Sequence, residues 1–163
     1  MDRPTSRWDP ACRARWLALA AALLLAPGAG AAHADPLDPR HIIVLTNEAR
    51  RQAGLRPVAV DERLMAAARA KLFDMLKQDY FGHRTPDGRQ PWAFMQAAGY
   101  RFQMAAENLA KGYDSEPELQ RAWMKSRGHR ANILNPHFTE IGVADANGIV
   151  VVMFGRPAPP KRP

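Results

Sequence analysis

The chain changes its hydrophobic period late in the sequence, and this change limits the fold class more than any other feature. Helical patterns occupy residues 38–134, whereas two β-prone runs, Thr139 to Ala144 and Ile149 to Phe154, follow them. The segment between the two runs ends in Asn147-Gly148, a pair typical of hairpin turns. Because helices come first and the hairpin last, we predict an α+β domain with helices packed over a small antiparallel sheet.

Local signals predict where the helices begin and end. Four segments carry a helix-start signal, either a capping residue or a proline: Asp38-Pro39, Asp61, Pro91, and the capping-box pair Ser115 and Glu118. Gly54 is expected to end the first helix, and Gly128 to interrupt the last one before a further turn over residues 129–134. A weaker β pattern over Ala106 to Ala110 predicts a third strand.

Residues 1–34 have the pattern of a secretory signal peptide. Arg13 and Arg15 precede an apolar run over residues 16–25, and Ala32-His33-Ala34 forms a small-residue cleavage site. The apolar run is too short for a permanent membrane anchor. We therefore expect an exported protein, periplasmic or secreted, with no integral membrane segment after cleavage. The predicted division is a signal peptide over 1–34, a domain over 35–155 and a disordered, Pro-rich basic tail over 156–163.

The cysteine content and the net charge limit the kinds of chemistry and of partner that the protein can have. The single cysteine, Cys12, lies in the predicted signal peptide, so the exported protein has no thiol and no disulfide. Catalysis would then depend on histidines, carboxylates, hydroxyls or a metal held by nitrogen and oxygen. The net charge is +7, but the basic residues are scattered and form no stripe with interleaved aromatics, so we expect no nucleic-acid partner. Anionic envelope polymers or lipid head groups fit this charge better.

Three residues stand out as candidates for chemistry: His83, Glu107 and His129. Each lies in one of four motifs that occur in order along the chain: Phe81–His83, Ala106–Ala110, Trp123–Leu134 and Phe138–Val143. Together these motifs resemble the CAP superfamily, also called SCP-like, and are most similar to its short, exported bacterial branch. The resemblance covers about residues 41–155, nearly all of the predicted domain.

The resemblance implies an α–β–α sandwich with a cleft in which two histidines meet acidic side chains. His83 would be the first histidine, Glu107 the first acid and His129 the second histidine. In animal and plant members a second acid follows a tryptophan by three positions, but here Ser126 occupies that position. Glu140 would replace the missing acid if the start of the hairpin borders the cleft.

The candidate residues allow two kinds of chemistry and one structural alternative. Two imidazoles and a carboxylate suit Zn²⁺ or a similar ion and leave a position for water. Without a metal, the carboxylate raises the imidazole pKa values and forms a proton-handling pair. Alternatively, the histidines hold the backbone around neighbouring glycines, and Glu107 accepts backbone N–H groups. Ser126, as a helix cap, and Asn108, as a turn or strand residue, are auxiliary candidates with structural interpretations.

The sequence is compatible with three functions. The favoured one is an exported, non-enzymatic or weakly catalytic domain that binds a divalent metal or a small, lipid-like ligand between His83, Glu107 and His129. The second is a hydrolase of peptide or cell-wall polymer, either metal-assisted or using Glu107 as general base and a histidine as acid. The third is a structural protein of the envelope that makes its contacts through the basic surface and the tail.

Overall fold

The computed structural model describes residues 36–159, so the predicted signal peptide and residues 160–163 of the predicted tail lie outside the described part. It contains five helices and four strands, in this order: α1 Pro39–Gln52, β1 Ala59–Val60, α2 Glu62–Lys77, α3 Pro91–Ala97, β2 Phe102–Lys111, α4 Glu116–Lys125, α5 Arg127–Ile133, β3 Glu140–Ala146 and β4 Ile149–Pro157. Within residues 36–159, no helix has both the length and the apolar character needed to cross a membrane.

The strands form one sheet in the order β1-β3-β4-β2. The predicted hairpin pairs β3 with β4, and β2 pairs with the other side of β4, both antiparallel. The short strand β1 pairs with β3 in parallel, at Ala59 and Val60. The segment between the first two helices thus contributes a parallel edge strand, and the sheet is mixed rather than antiparallel throughout, as was predicted.

Apolar side chains cover both faces of the sheet. Alternate residues of β4 point to opposite faces, as the two-residue period of a strand requires. Val150, Val152 and Phe154 pack in one core with side chains of α1, α4 and α5. Ile149, Val151 and Met153 pack in a second core with side chains of α2 and α3. Helices therefore lie on both faces, and the α–β–α sandwich is confirmed.

Most local predictions agree with the structure, with differences at three boundaries. Asp38 and Asp61 cap α1 and α2 as predicted, each accepting backbone N–H bonds through its carboxylate. Ser115 precedes α4, but its side chain makes no capping hydrogen bond, so the predicted capping box does not form. The helix break falls at Ser126, and Gly128 lies inside α5. Residues 156–157 extend β4 instead of beginning the predicted tail.

Gly142 allows α2 to lie directly on β3. A Cβ atom at this position would stand 2.1 Å from the carbonyl carbon of Leu64, which belongs to the backbone of α2. No side chain fits at that distance, so a glycine is required for this approach. The contact fixes α2 against the sheet and thereby positions the loop after α2, which carries His83.

The buried Arg50 fixes the end of α5. The residue is 1% exposed, and its guanidinium donates to the carbonyl oxygens of Arg56, Ile133, Asn135 and Phe138, at 2.8–3.1 Å. Burial lowers the pKa of Arg50. Since two of these acceptors lie at or just after the last turn of α5, the arginine ties α1 to the helix that carries His129.

We predict that Arg50→Met lowers the free energy of unfolding by about 3 kcal/mol or more, because buried carbonyls lose their donors. The neighbouring Arg51 is exposed, so Arg51→Met should change it by less than about 0.5 kcal/mol. Urea denaturation of both variants measures the difference. Equal stability of the two variants would contradict this role for Arg50.

Candidate functional site

Two adjacent cavities lie along β2, the edge strand on the side of the sheet away from β1. The first, called here the His83 cavity, has a volume of about 280 Å³ and is lined by His83, Glu107, Asn132, Trp92 and neighbouring residues. The second, the His129 cavity, has a volume of about 310 Å³ and includes His129, Ser126, Phe81 and Tyr113 in its lining. Residues 105–107 of β2 line the first cavity and residues 109–111 line the second.

His83 and Glu107 form the central contact of the site. Nδ1 of His83 donates to Oε1 of Glu107 at 2.7 Å, although the residues are 24 positions apart. The Glu107 side chain is 1% exposed, whereas that of His83 is 57% exposed. Glu107 Oε2 is also buried and has no hydrogen-bond partner in the protein. A buried carboxylate thus holds an accessible imidazole whose second nitrogen, Nε2, is left for solvent or a ligand.

A buried lysine, Lys71, holds the backbone of the loop that carries His83. Lys71 of α2 is fully buried, and its ammonium donates to the hydroxyl of Tyr80 at 3.0 Å and to the carbonyl of His83 at 2.9 Å. The Tyr80 hydroxyl donates in turn to Asp74 at 2.7 Å. Lys71 therefore fixes the backbone of the His83 loop and places a positive charge near Glu107.

His129 approaches β2 from the other face of the sheet. The side-chain amide of Asn108 donates to the His129 carbonyl at 3.2 Å, and Asn132 donates to Oδ1 of Asn108 at 2.8 Å. The His129 ring lies 6.2 Å from the Trp123 ring, centroid to centroid. These bonds hold α5 against the edge of the sheet and place the imidazole in the His129 cavity, next to the cavity of His83.

The surroundings shift the pKa values of the two histidines in opposite directions. The hydrogen bond to Glu107 raises the pKa of His83. Burial lowers the pKa of His129, and the nearby charge of His83 lowers it further. Burial also raises the pKa of Glu107, while His83 and Lys71 oppose that rise. His83 therefore holds its proton to higher pH than a free imidazole does, and His129 to lower pH.

The three predicted ligands do not fit a three-ligand metal site. Nδ1 of His83 is already committed to Glu107, and His129 lines the adjacent cavity. Throughout residues 36–159, no group of three or more His, Cys, Asp or Glu side chains could hold a metal ion. What the structure does contain is a hydrogen-bonded pair of imidazole and carboxylate, His83 and Glu107.

The auxiliary candidates lie at different places. Ser126 lines the His129 cavity, between α4 and α5. Asn108 is a fully buried residue of β2, and its side chain contacts α5 through the carbonyl of His129. Glu140 does not join the cleft. It lies at the start of β3, two strands from β2, and its carboxylate accepts a hydrogen bond from the hydroxyl of Tyr100. Glu140 therefore does not replace the missing second acid.

Three residues of the site were absent from the sequence predictions. Lys71 has a visible signal, since it lies at helical spacing from Ala67, Ala68 and Met75 on the apolar face of α2. A lysine on such a face requires polar partners in the core. Asn132 lies within the motif Trp123–Leu134 but was not singled out there. Trp92 carries no comparable signal, because its role depends on contacts between distant parts of the chain.

Comparison with known proteins gives a consistent family assignment. The model of the family described as "Cysteine-rich secretory protein family", CAP, matches residues 44–150. An uncharacterized Bacillus subtilis protein, YkwD, is 45% identical over 104 residues, which are 64% of this chain and 40% of that relative. The chain thus spans less than half the length of this curated relative.

Solved structures agree with this assignment. An extracellular protein from Bacillus anthracis that contains an SCP domain is 31% identical, with a TM-score of 0.69 over 72% of this chain and 39% of that one. An outer surface protein from Borrelia burgdorferi shares the fold at 20% identity, with a TM-score of 0.67 over 76% of this chain and 98% of that one.

We predict separate titration midpoints for the two histidines, above about 6.5 for His83 and below about 6.5 for His129. NMR titration of the imidazole signals measures both. Glu107→Gln should lower the His83 midpoint, because the charged partner is lost, and should raise that of His129 slightly, because His83 then loses its positive charge at lower pH. Coinciding midpoints, or a His83 midpoint that does not respond to Glu107→Gln, would contradict the pairing.

The same shifts fix the sign of the pH dependence of folding. The contribution of His83 to stability is present below its ordinary pKa and is lost as the pH rises through its raised value. The effect of His129 is opposite, because its protonated form is disfavoured in the folded state, so acidification through its ordinary pKa destabilises the fold.

Proposed function

The chain belongs to the cysteine-rich secretory protein (CAP) family, and on that premise we propose that it is an exported domain that binds a small ligand along β2. The binding site is the pair of adjacent cavities that contain His83, Glu107 and His129. One observation carries this proposal: a buried carboxylate, with one oxygen unpartnered, holds an accessible imidazole at the wall of a cavity. An unpartnered buried acceptor is costly unless something bonds to it, which favours a ligand or water at this point.

Two observations support export of the protein. The predicted signal peptide over residues 1–34 directs the chain out of the cytoplasm. The Bacillus anthracis relative, at 31% identity, is described as extracellular. The ligand would then come from the extracytoplasmic space, and the mild positive charge of the chain suits an anionic envelope around it.

The proposal is tested by NMR with three probes: soluble peptidoglycan fragments, a lysophosphatidylglycerol micelle and Zn²⁺. We expect saturable shifts of the His83 and His129 signals with at least one organic probe. A variant carrying His83→Ala and His129→Ala should bind that probe about tenfold more weakly or worse, since two polar contacts are lost. Weaker Zn²⁺ binding by this variant than by the parent would show that the two imidazoles hold a metal ion, although the described residues contain no group of three ligating side chains.

The matched control is His137→Ala, which removes an exposed histidine outside both cavities. This variant should bind like the parent protein. Binding of every organic probe with equal affinity by the parent and by the double variant would contradict the proposed site.

The hydrogen bond between His83 and Glu107 also favours a second candidate function, metal-free hydrolysis of an extracytoplasmic polymer. Oε1 of Glu107 is held by Nδ1 of His83, and His83 is the more accessible of the two side chains. The geometry reverses the roles: Nε2 of the accessible His83 takes the proton of a water molecule, and Glu107 orients the ring and stabilises the imidazolium.

If the protein is a hydrolase of this kind, it releases soluble fragments from purified peptidoglycan between pH 5 and 8, at a rate that rises as the pH passes the raised pKa of His83, because only the neutral imidazole can take a proton. Glu107→Gln reduces this rate by about 100-fold or more. Fragment release is followed by liquid chromatography. No release by the parent protein across this range would exclude peptidoglycan hydrolysis, and unchanged release by Glu107→Gln would exclude the assigned role of Glu107.

A further inference from the structure

We propose that the His83 cavity is a saccharide subsite, in which a hydroxylated ring packs against Trp92 and donates a hydrogen bond to Glu107. This inference rests on the proposed function, because it names the class of ligand that the same cleft would take. It depends on four features of the cavity: an aromatic wall, an unpartnered acceptor, nearby basic groups and a strand edge that is already occupied.

The wall of the cavity combines apolar and polar groups. Trp92 is the second residue of α3, its side chain is partly exposed, and it lines the cavity together with Pro91, Ala105 and Ala106. The amides of Gln90 and Asn132 and the imidazole of His83 supply polar groups on the same lining. A sugar ring presents an apolar face of C–H groups and a rim of hydroxyls, so it suits an aromatic surface bordered by amides.

Charge favours a neutral hydrogen-bond donor. In the ionised carboxylate Oε2 of Glu107 is an acceptor, and it lacks a partner in the protein. The basic groups of His83 and Lys71 both act on Glu107 and partly offset the effect of its burial. Arg84 lies beside Gln90 and adds a further positive charge near the cavity. A cationic ligand is therefore disfavoured, whereas a neutral hydroxyl or amide N–H satisfies the acceptor.

The edge of β2 is closed to an extended peptide at the level of the two cavities. A peptide that adds to a sheet needs free backbone groups along the edge strand. Here the carbonyl of Glu107 accepts from the Asn132 amide, and that of Leu109 accepts from the Trp123 indole, each at 3.3 Å. Helices α4 and α5 thus occupy the positions that a pairing strand would need, and recognition falls to the side chains that line the cavities.

The spacing of the cavities indicates an oligomeric ligand. The segments of β2 that line them are centred on Ala106 and Ala110, which is about 13 Å of strand at the usual rise per residue. The aromatic side chains of Phe81 and Tyr113 line the second cavity. A ligand that occupies both cavities is therefore a chain of several rings rather than a single one.

The test uses the nitrogen-15-labelled protein and three neutral or nearly neutral probes: chitotetraose, cellotetraose and tetra-alanine. We expect a saturable shift of the Trp92 indole signal with at least one saccharide and none with the peptide. Trp92→Ala should weaken saccharide binding by about tenfold, because it removes the aromatic wall. Trp92→Phe should recover part of the affinity.

Phe73→Ala is the matched control, since Phe73 is an exposed aromatic residue of α2 that lines neither cavity. This variant should bind saccharide like the parent, and dispersed spectra of all variants verify folding. Failure of both saccharides to shift Trp92, or equal binding by Trp92→Ala, would overturn the saccharide subsite. If the peptide shifts the NMR signals of His83 and His129 instead, the saccharide subsite is wrong, but the proposed binding cleft is supported. If none of these probes or of the earlier ones reaches either cavity, both proposals fail.

Discussion

The structure depends on the burial of β4 on both of its faces. All six residues of Ile149–Phe154 are buried, with alternate side chains in the two cores. A strand of this kind requires apolar layers on both sides, because neither face can be left to water. It therefore takes α2 and α3 on one face and α1, α4 and α5 on the other. This two-sided arrangement also decides where a site can form, since the interior of the sandwich is filled by the two cores.

The remaining place for chemistry is the edge strand β2, where elements from both helical layers meet. Glu107 faces the layer of α2 and reaches His83, whereas the adjacent Asn108 faces the layer of α5 and holds the backbone of His129. Consecutive residues of one strand thus organise the two halves of the cleft. Burial of Glu107 is tolerated because His83 and Lys71 surround its carboxylate with positive charge. The resulting cleft has an acid–base pair in one cavity and a less basic imidazole in the next.

Local features of the fold could be predicted from the sequence, and features that depend on distant contacts could not. The caps at Asp38 and Asp61 and the turn at Asn147-Gly148 depend on a few neighbouring residues, and the structure contains all of them. The strand β1 has only two residues and exists because β3 lies beside it, so no local pattern predicts it. In the site, the motifs identified His83, Glu107 and His129, but not that they divide between two cavities. The role of Lys71 required knowledge of where the loop after α2 returns to the helix.

The site depends on Glu107 Oε2, a buried acceptor of a residue that lines the His83 cavity. A high-resolution crystal structure of the protein near neutral pH would show what this atom contacts. We expect His83 to stay within hydrogen-bonding distance of Oε1, and a water molecule or a ligand atom to contact Oε2. A carboxylate whose two oxygens are both bonded to protein side chains, with the cavity beside it filled, would rule out this role of Glu107.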